Sequence, residues 1–117
     1  MKKLLLSIAF LLSAMGMMAQ TQVTTAEGIL EGKDLSGITV FKGIPFAAPP
    51  VGNLRWKAPQ PVQKWQGVRE AKEFGPNPMQ EPIFGDMNFG TKKYSEDCLY
   101  LNIWTPAKTM KEHLPVL

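Results

Sequence analysis

Glu96-Asp97-Cys98-Leu99-Tyr100-Leu101-Asn102-Ile103-Trp104-Thr105-Pro106 is the stretch whose reading decides the fold. Between Asp97 and Pro106 it is almost continuously apolar. Six apolar residues in an eight-residue run between two breakers predict a strand. Alternation puts Leu99, Leu101 and Ile103 on one face and Cys98, Tyr100, Asn102 and Trp104 on the other. With both faces apolar, the strand is expected to be covered on both sides. That requires a layer above and a layer below. The rest of the chain holds no long amphipathic helix to supply them, so it reads as an incomplete folding unit. Leu114-Pro115-Val116-Leu117 reads as the start of another apolar strand.

Working back from that strand, residues 75–95 form a long irregular stretch punctuated by Pro76, Pro78, Pro82, Gly85 and Gly90. A loop of about 20 residues in a compact domain is usually functional or disordered. Phe84, Met87 and Phe89 argue against disorder. Residues 65–74 fit a short strand or turn. Residues 45–61 carry Pro45, Pro49, Pro50, Pro59 and Pro61. Each fixes its own φ and removes a donor, so no helix or central strand fits there. Phe46, Leu54 and Trp56 make this an ordered wrap over a core rather than a linker. Further back, residues 23–30 and 38–42 read as two extended runs around the turn formers of residues 32–37, which predicts a β-hairpin.

Residues 1–19 have a different character. Met1-Lys2-Lys3 precedes an apolar run over residues 4–12 and then small residues to Ala19. That is the pattern of a cleaved export signal, with Ala19 or Gly16 as the cut. The run is interrupted by Ser7, Ser13 and Gly16, and is short for a membrane span of about 20 residues. The expected result is an exported, periplasmic or secreted protein with no stable membrane anchor. Residues 20–117 then follow as one incomplete folding unit.

The 117 residues are 44% hydrophobic and 20% charged, an ordinary globular balance. The formal charge of +3 falls to +1 without Lys2 and Lys3, because 11 basic residues then face 10 acidic ones. With no basic cluster beyond Lys92-Lys93, nucleic acid is not an expected partner. One Cys, Cys98, and one His, His113, exclude a disulfide framework and a multi-histidine or paired-cysteine metal site. No metal and no cofactor is expected.

Nucleophilic hydrolysis needs an activated Ser or Cys, a base and an oxyanion hole. Beyond the leader the only serines are Ser36 and Ser95, and neither lies in Gly-x-Ser-x-Gly. Cys98 opens an apolar strand and reads as inert. Glu96 and Asp97 are adjacent, so on an extended chain they point apart and make no two-carboxylate site. His113 reads as a solvated loop residue. From residues alone, the chain is an exported β-rich segment without its own active site.

Two long motifs now add a family resemblance. Phe41-Lys42-Gly43-Ile44-Pro45-Phe46-Ala47-Ala48-Pro49-Pro50-Val51-Gly52, followed by Leu54-Arg55-Trp56, resembles the N-terminal wrap of type-B carboxylesterases. That family includes cholinesterases and bacterial para-nitrobenzyl-ester-cleaving enzymes. Residues 96–106 are similar to the family's second signature. Thr25-Ala26-Glu27-Gly28 and Trp65-Gln66-Gly67-Val68 also match its habits. The resemblance implies the α/β class. The fold is the α/β-hydrolase, of which this chain supplies the N-terminal β-hairpin, the proline-rich wrap and the first central strands only. Residues 98–105 would be an early central strand, and residues 114–117 would begin the next.

The same resemblance implies a serine carboxylic-ester hydrolase acting through an acyl-enzyme on a small ester. Its oxyanion-hole glycines, nucleophile, acid and base would all lie beyond Leu117, leaving no catalytic residue in this chain. A non-catalytic, cholinesterase-like adhesion module is the alternative. The resemblance pairs Arg55 with Glu96, an ion pair that would pin the wrap to the sheet. It leaves Cys98 unpaired, because Pro78 of Gly75-Pro76-Asn77-Pro78 stands where relatives carry the partner cysteine. Closing such a loop is worth about 3 kcal/mol in the chain-entropy model, so a less constrained loop is expected. Phe84, Met87, Asn88 and Phe89 are candidates for lining the substrate site. Asn88 holds the position of the choline-binding Trp of cholinesterases, which removes that cation–π site.

Overall fold

A β-hairpin needs a reversal that its residues can make locally, and the first one occurs sooner than the sequence suggests. The structure, a computed structural model, describes residues 21–81, 85–86 and 88–117. The expected leader and the candidates Phe84 and Met87 lie outside the described residues. Strand β1 (Gln22–Thr24) pairs antiparallel with β2 (Ile29–Glu31) across Thr25-Ala26-Glu27-Gly28. The Thr25 hydroxyl organises this reversal. It donates to the Gly28 carbonyl at 2.9 Å and accepts from the Glu27 and Gly28 amides at 3.2 and 3.3 Å. Residues 23–30 are therefore a hairpin in themselves and not one strand, a correction with a local side-chain cause.

The second hairpin joins β3 (Lys33–Leu35) to β4 (Ile38–Pro45). Only Ser36 and Gly37 separate the paired residues Leu35 and Ile38, at φ of +54° and +91°. Two positive values mark a type I′ turn, whose twist suits a hairpin. The Gly32–Gly37 stretch thus contains a strand as well as a turn.

The described strands form two three-stranded sheets, β1-β2-β5 and β3-β4-β6. Strand β5 (Val68–Glu70) runs parallel to β2, delivered there by Trp65. The Trp65 amide donates to the Glu27 carbonyl at 3.0 Å, and its indole N–H donates to the Ile29 carbonyl at 2.9 Å. Gly28 lies directly under the ring: a Cβ there would stand 2.5 Å from the Trp65 Nε1. Ala71 links the sheets. Its amide donates to the Glu31 carbonyl at 2.7 Å and its carbonyl accepts from the Lys42 amide at 2.8 Å. The core cluster is Leu30, Phe41 and Ala71, flanked by Val23, Ile44 and Trp65.

Strand β6 (Tyr100–Thr105) pairs antiparallel with β4. The register places Phe41 opposite Ile103 but Ile44 opposite Leu101, so β4 carries one extra residue. The bulge centres on Gly43 at φ +65°. Its freed amide donates to the Asn102 Oδ1 at 2.9 Å, which explains the one amide in an otherwise apolar run. Tyr100 opens the strand, and Leu99 precedes it with its carbonyl accepting from the Phe46 amide at 3.1 Å.

The expected double coverage of β6 is not found among the described residues. Leu101, Ile103 and Trp104 are 37%, 44% and 54% exposed. β6 has a single neighbour, and Leu101 and Ile103 face an open apolar groove of about 590 Å³ whose far wall includes Val23 and Leu30. Residues 114–117 are not a strand, because no described strand lies beside them, and Val116 and Leu117 are fully open. The wrap is ordered, with one 3₁₀ turn at Gly52–Leu54. It is held by buried Ala47 and by the Ala48 amide on the Gln60 carbonyl at 2.9 Å, not by its aromatics. Phe46 is 53% exposed and Trp56 is 97% exposed.

Candidate functional site

The chemistry-bearing residues gather at the N-terminal end of β6, where the wrap and the loop over residues 75–95 both return to the sheet. Glu96 and Asp97 diverge there, as alternation requires. Glu96 Oε1 lies 2.8 Å from Arg55 Nη2, joining the wrap to the approach of β6; the Arg55 and Glu96 side chains are 54% and 44% exposed. Asp97 turns the other way and accepts from the Tyr100 hydroxyl at 2.9 Å. Partial burial, reinforced by the Asp97 carboxylate, holds the Tyr100 phenol above its usual range. The two carboxylates therefore share no substrate-sized space.

The Ser95 hydroxyl accepts from the Asp97 amide at 3.1 Å, and His113 is exposed in the C-terminal segment. Cys98 is half-buried and, as the single cysteine, has no intrachain disulfide partner. Among the described residues no group of His, Cys, Asp and Glu converges on a metal-sized space.

The loop is tied in a way that the sequence reading missed. The Asn77 amide donates to the Lys93 carbonyl at 2.8 Å, and the Asn77 carbonyl accepts from the Ser95 amide at 2.9 Å. The Asn77 side-chain amide donates to the Thr91 carbonyl at 2.9 Å. Three hydrogen bonds at about 0.5–1.5 kcal/mol net each are of the same order as a loop-closing disulfide. The loop neck is thus clipped non-covalently, one residue before Pro78. The legible signal was an Asn between two prolines, a residue that bonds its surroundings locally where its neighbours have no N–H.

Further along, Asn88 Oδ1 accepts from the Gly90 amide at 2.9 Å, which turns the chain back. Gly90 rests on the Phe74 ring, where a Cβ would come within 2.6 Å. Phe74 packs against Trp104 of β6 with centroids 6.3 Å apart, and Lys42 Nζ lies 4.2 Å from its centroid. Phe89 is 45% exposed beside this return. So Arg55 meets Glu96, while Asn88 and Phe89 stand together on a separate part of the loop.

The arrangement of hairpins, wrap and β6 is that of known hydrolases. The chain superposes on carboxylesterase EST55 of Geobacillus stearothermophilus with a TM-score of 0.62 and 45% identity, over 75% of this chain and 17% of that one. A PNB esterase gives a TM-score of 0.70 at 37% identity, over 81% and 20%. These likenesses define a sheet-rich portion of an α/β-hydrolase. A model of the carboxylesterase family matches residues 19–117, and the chain belongs to that family. It is 45% identical over 95 residues to fumonisin B1 esterase of Sphingopyxis macrogoltabida, covering 80% of this chain and 17% of that protein. It is 40% identical over 111 residues to liver carboxylesterase of Sus scrofa, covering 81% and 20%. The chain therefore spans about a fifth of the length of these curated relatives.

Proposed function

We propose that the whole protein is an exported serine carboxylic-ester hydrolase working through an acyl-enzyme, and that residues 20–117 are scaffold for it. The observation that carries this reading is the family match across residues 19–117, with relatives that are esterases at 40–45% identity. Acyl transfer needs a nucleophile beside a base and an oxyanion hole. Neither Ser36 nor Ser95 lies in Gly-x-Ser-x-Gly and the relatives are about five times longer than this chain, so this reading assigns the reacting groups to the rest of the whole protein. Arg55 and Glu96 pin the wrap to the sheet. Asn88 and Phe89 line the entrance for a small carboxylic ester. Export rests on the Lys2-Lys3 start and the apolar run of residues 4–12.

The test is expression of the entire reading frame, with hydrolysis of para-nitrophenyl acetate and labelling by a phosphate triester that traps activated serines. Hydrolysis with one label per chain is expected. Neither hydrolysis nor label would overturn the esterase reading in favour of a non-catalytic relative. Residues 20–117 alone should show no hydrolysis above background. The intact mass of the exported protein should place its first residue at Gln20 or Met17; an uncut Met1 would refute export by cleavage.

A further inference from the structure

Asn77 has an unusual backbone setting. Pro76 and Pro78 on either side lack an N–H, so Asn77 supplies the only main-chain donor in that tripeptide. Its N–H, its carbonyl and its side-chain amide all cross the neck of the loop, to Lys93, Ser95 and Thr91 respectively. Asn77 and Tyr94 form an isolated parallel bridge at the same place. Beyond the neck, Gly90 is seated on Phe74, which is itself packed on Trp104 of β6. The loop is thus closed on itself at the neck and seated on the sheet through Phe74, and Asn88 and Phe89 lie immediately before that seat.

We propose that Asn77 is a positioning residue: its side-chain amide locks the neck of the 77–95 loop and so sets where Asn88 and Phe89 stand at the substrate entrance of the whole enzyme. This rests on the esterase reading above. The side-chain bond is the selectable part of the clip, because any residue but proline at this position offers the two backbone bonds. A donor at the end of a short side chain is required to reach the Thr91 carbonyl. With the donor removed, the neck opens more often. The entrance wall then loses its fixed position, while groups that perform the chemistry elsewhere are untouched. Bulky esters, which need the wall, should suffer more than short ones.

The test uses the whole protein with Asn77→Ala and the size-matched Asn77→Asp, which lacks the amide donor. Two quantities are read. One is the rate of tryptic cleavage after Lys92, located by mass spectrometry. The other is KM and kcat for a short-chain and a bulky aryl ester. Cleavage should accelerate about tenfold in both variants, the scale of one lost hydrogen bond. KM for the bulky ester should rise several-fold, with kcat for the short ester unchanged. Unchanged cleavage in Asn77→Ala overturns the clip. Normal behaviour of Asn77→Asp overturns the role of the donor. A fall in kcat at constant KM overturns the positioning role. A whole protein with no esterase activity but Asn77-dependent cleavage overturns the esterase reading and the entrance role, and supports the clip. If neither variant accumulates, hydrogen exchange of the unmodified protein decides. Asn77 and Ser95 amides that exchange as fast as unstructured peptide refute the proposal.

Discussion

Substituting alanine for Gly43 should damage the protein far more than the same change at Gly52, although both glycines have left-handed backbones. Gly43 sits at φ +65° and Gly52 at φ +53°. A Cβ in that region costs about 1–2 kcal/mol at either site. The surroundings then separate them. At Gly52 nothing lies within 4 Å of the added atom. At Gly43 the atom would stand 2.7 Å from the Glu73 carbonyl oxygen and 3.2 Å from the Gly75 amide nitrogen, both backbone. Ordinary contact begins at 3.4 Å, so the crossing segment must retreat by about 0.7 Å. That retreat strains the Gly43 amide bond to Asn102 and the β4–β6 register beside it. Overpacking of this kind costs about 1–3 kcal/mol, giving about 2–5 kcal/mol for Gly43→Ala against 1–2 for Gly52→Ala. The relatives are about five times longer than this chain, so the unfolding entropy is about 1 kcal/mol per degree. Melting midpoints of the whole protein, compared at one scan rate, should fall by about 2–5 °C and by 1–2 °C respectively. Equal midpoints for the two variants would refute the claim that the Glu73 carbonyl closes over the bulge.

Arg55→Ala should lower stability by no more than about 1 kcal/mol, since the pair it breaks is half exposed; melting and kcat together check this, and a loss of kcat without a loss of stability would contradict a scaffold role. Asn102→Leu should cost about 0.5–1.5 kcal/mol by removing the exposed bond to the Gly43 amide, and a midpoint equal to the unmodified protein would show that water replaces the bond. Gly28→Ala should expel the Trp65 ring from its seat, detectable as a red shift in tryptophan emission. The Glu31–Lys72 pair gives a pH window. The Lys72 hydrogen bond, with that of Gln22, draws the Glu31 pKa below 4.5, so its contribution is present above that value and lost as pH falls through the folded-state pKa. The Glu31 hydrogen bond raises the Lys72 pKa above 10.5, so its contribution is present below that value and lost as pH rises through the folded-state pKa. Lys72→Met should flatten both ends of the stability–pH profile, and an unchanged profile would remove the pair from the account.

The two signature stretches were legible because their information is local and repeated. Prolines at 45, 49, 50, 59 and 61 exclude regular structure whatever lies around them. The apolar run into Trp104 forms a strand in any context that can cover it. What was not legible depended on single contacts between distant residues. Periodicity cannot show that the Thr25 hydroxyl folds residues 23–30 into their own hairpin. Composition cannot show that Asn102 answers a bulge in β4, because the bulge exists only once the two strands are paired. The ordering of the wrap was anticipated, but its anchors are small Ala47 and backbone bonds rather than the aromatic rings that suggested it.

The candidate site divides along the same line. A resemblance in sequence placed Arg55 with Glu96, and the structure brings them to 2.8 Å. That Cys98 is the single cysteine of the 117 residues was equally plain, since residue identity is a fact of the sequence. The tie across the loop was not, because an asparagine is ordinary in a loop until its three polar groups are seen to meet Thr91, Lys93 and Ser95. By itself the sequence determined the apolar run into Trp104, the breakers and the absence of Gly-x-Ser-x-Gly from these 117 residues, which are properties of residue type and spacing. Only the tertiary structure decided which backbone groups face one another across long chain separations, and those pairings set the bulge, the sheet order and the closure of the loop.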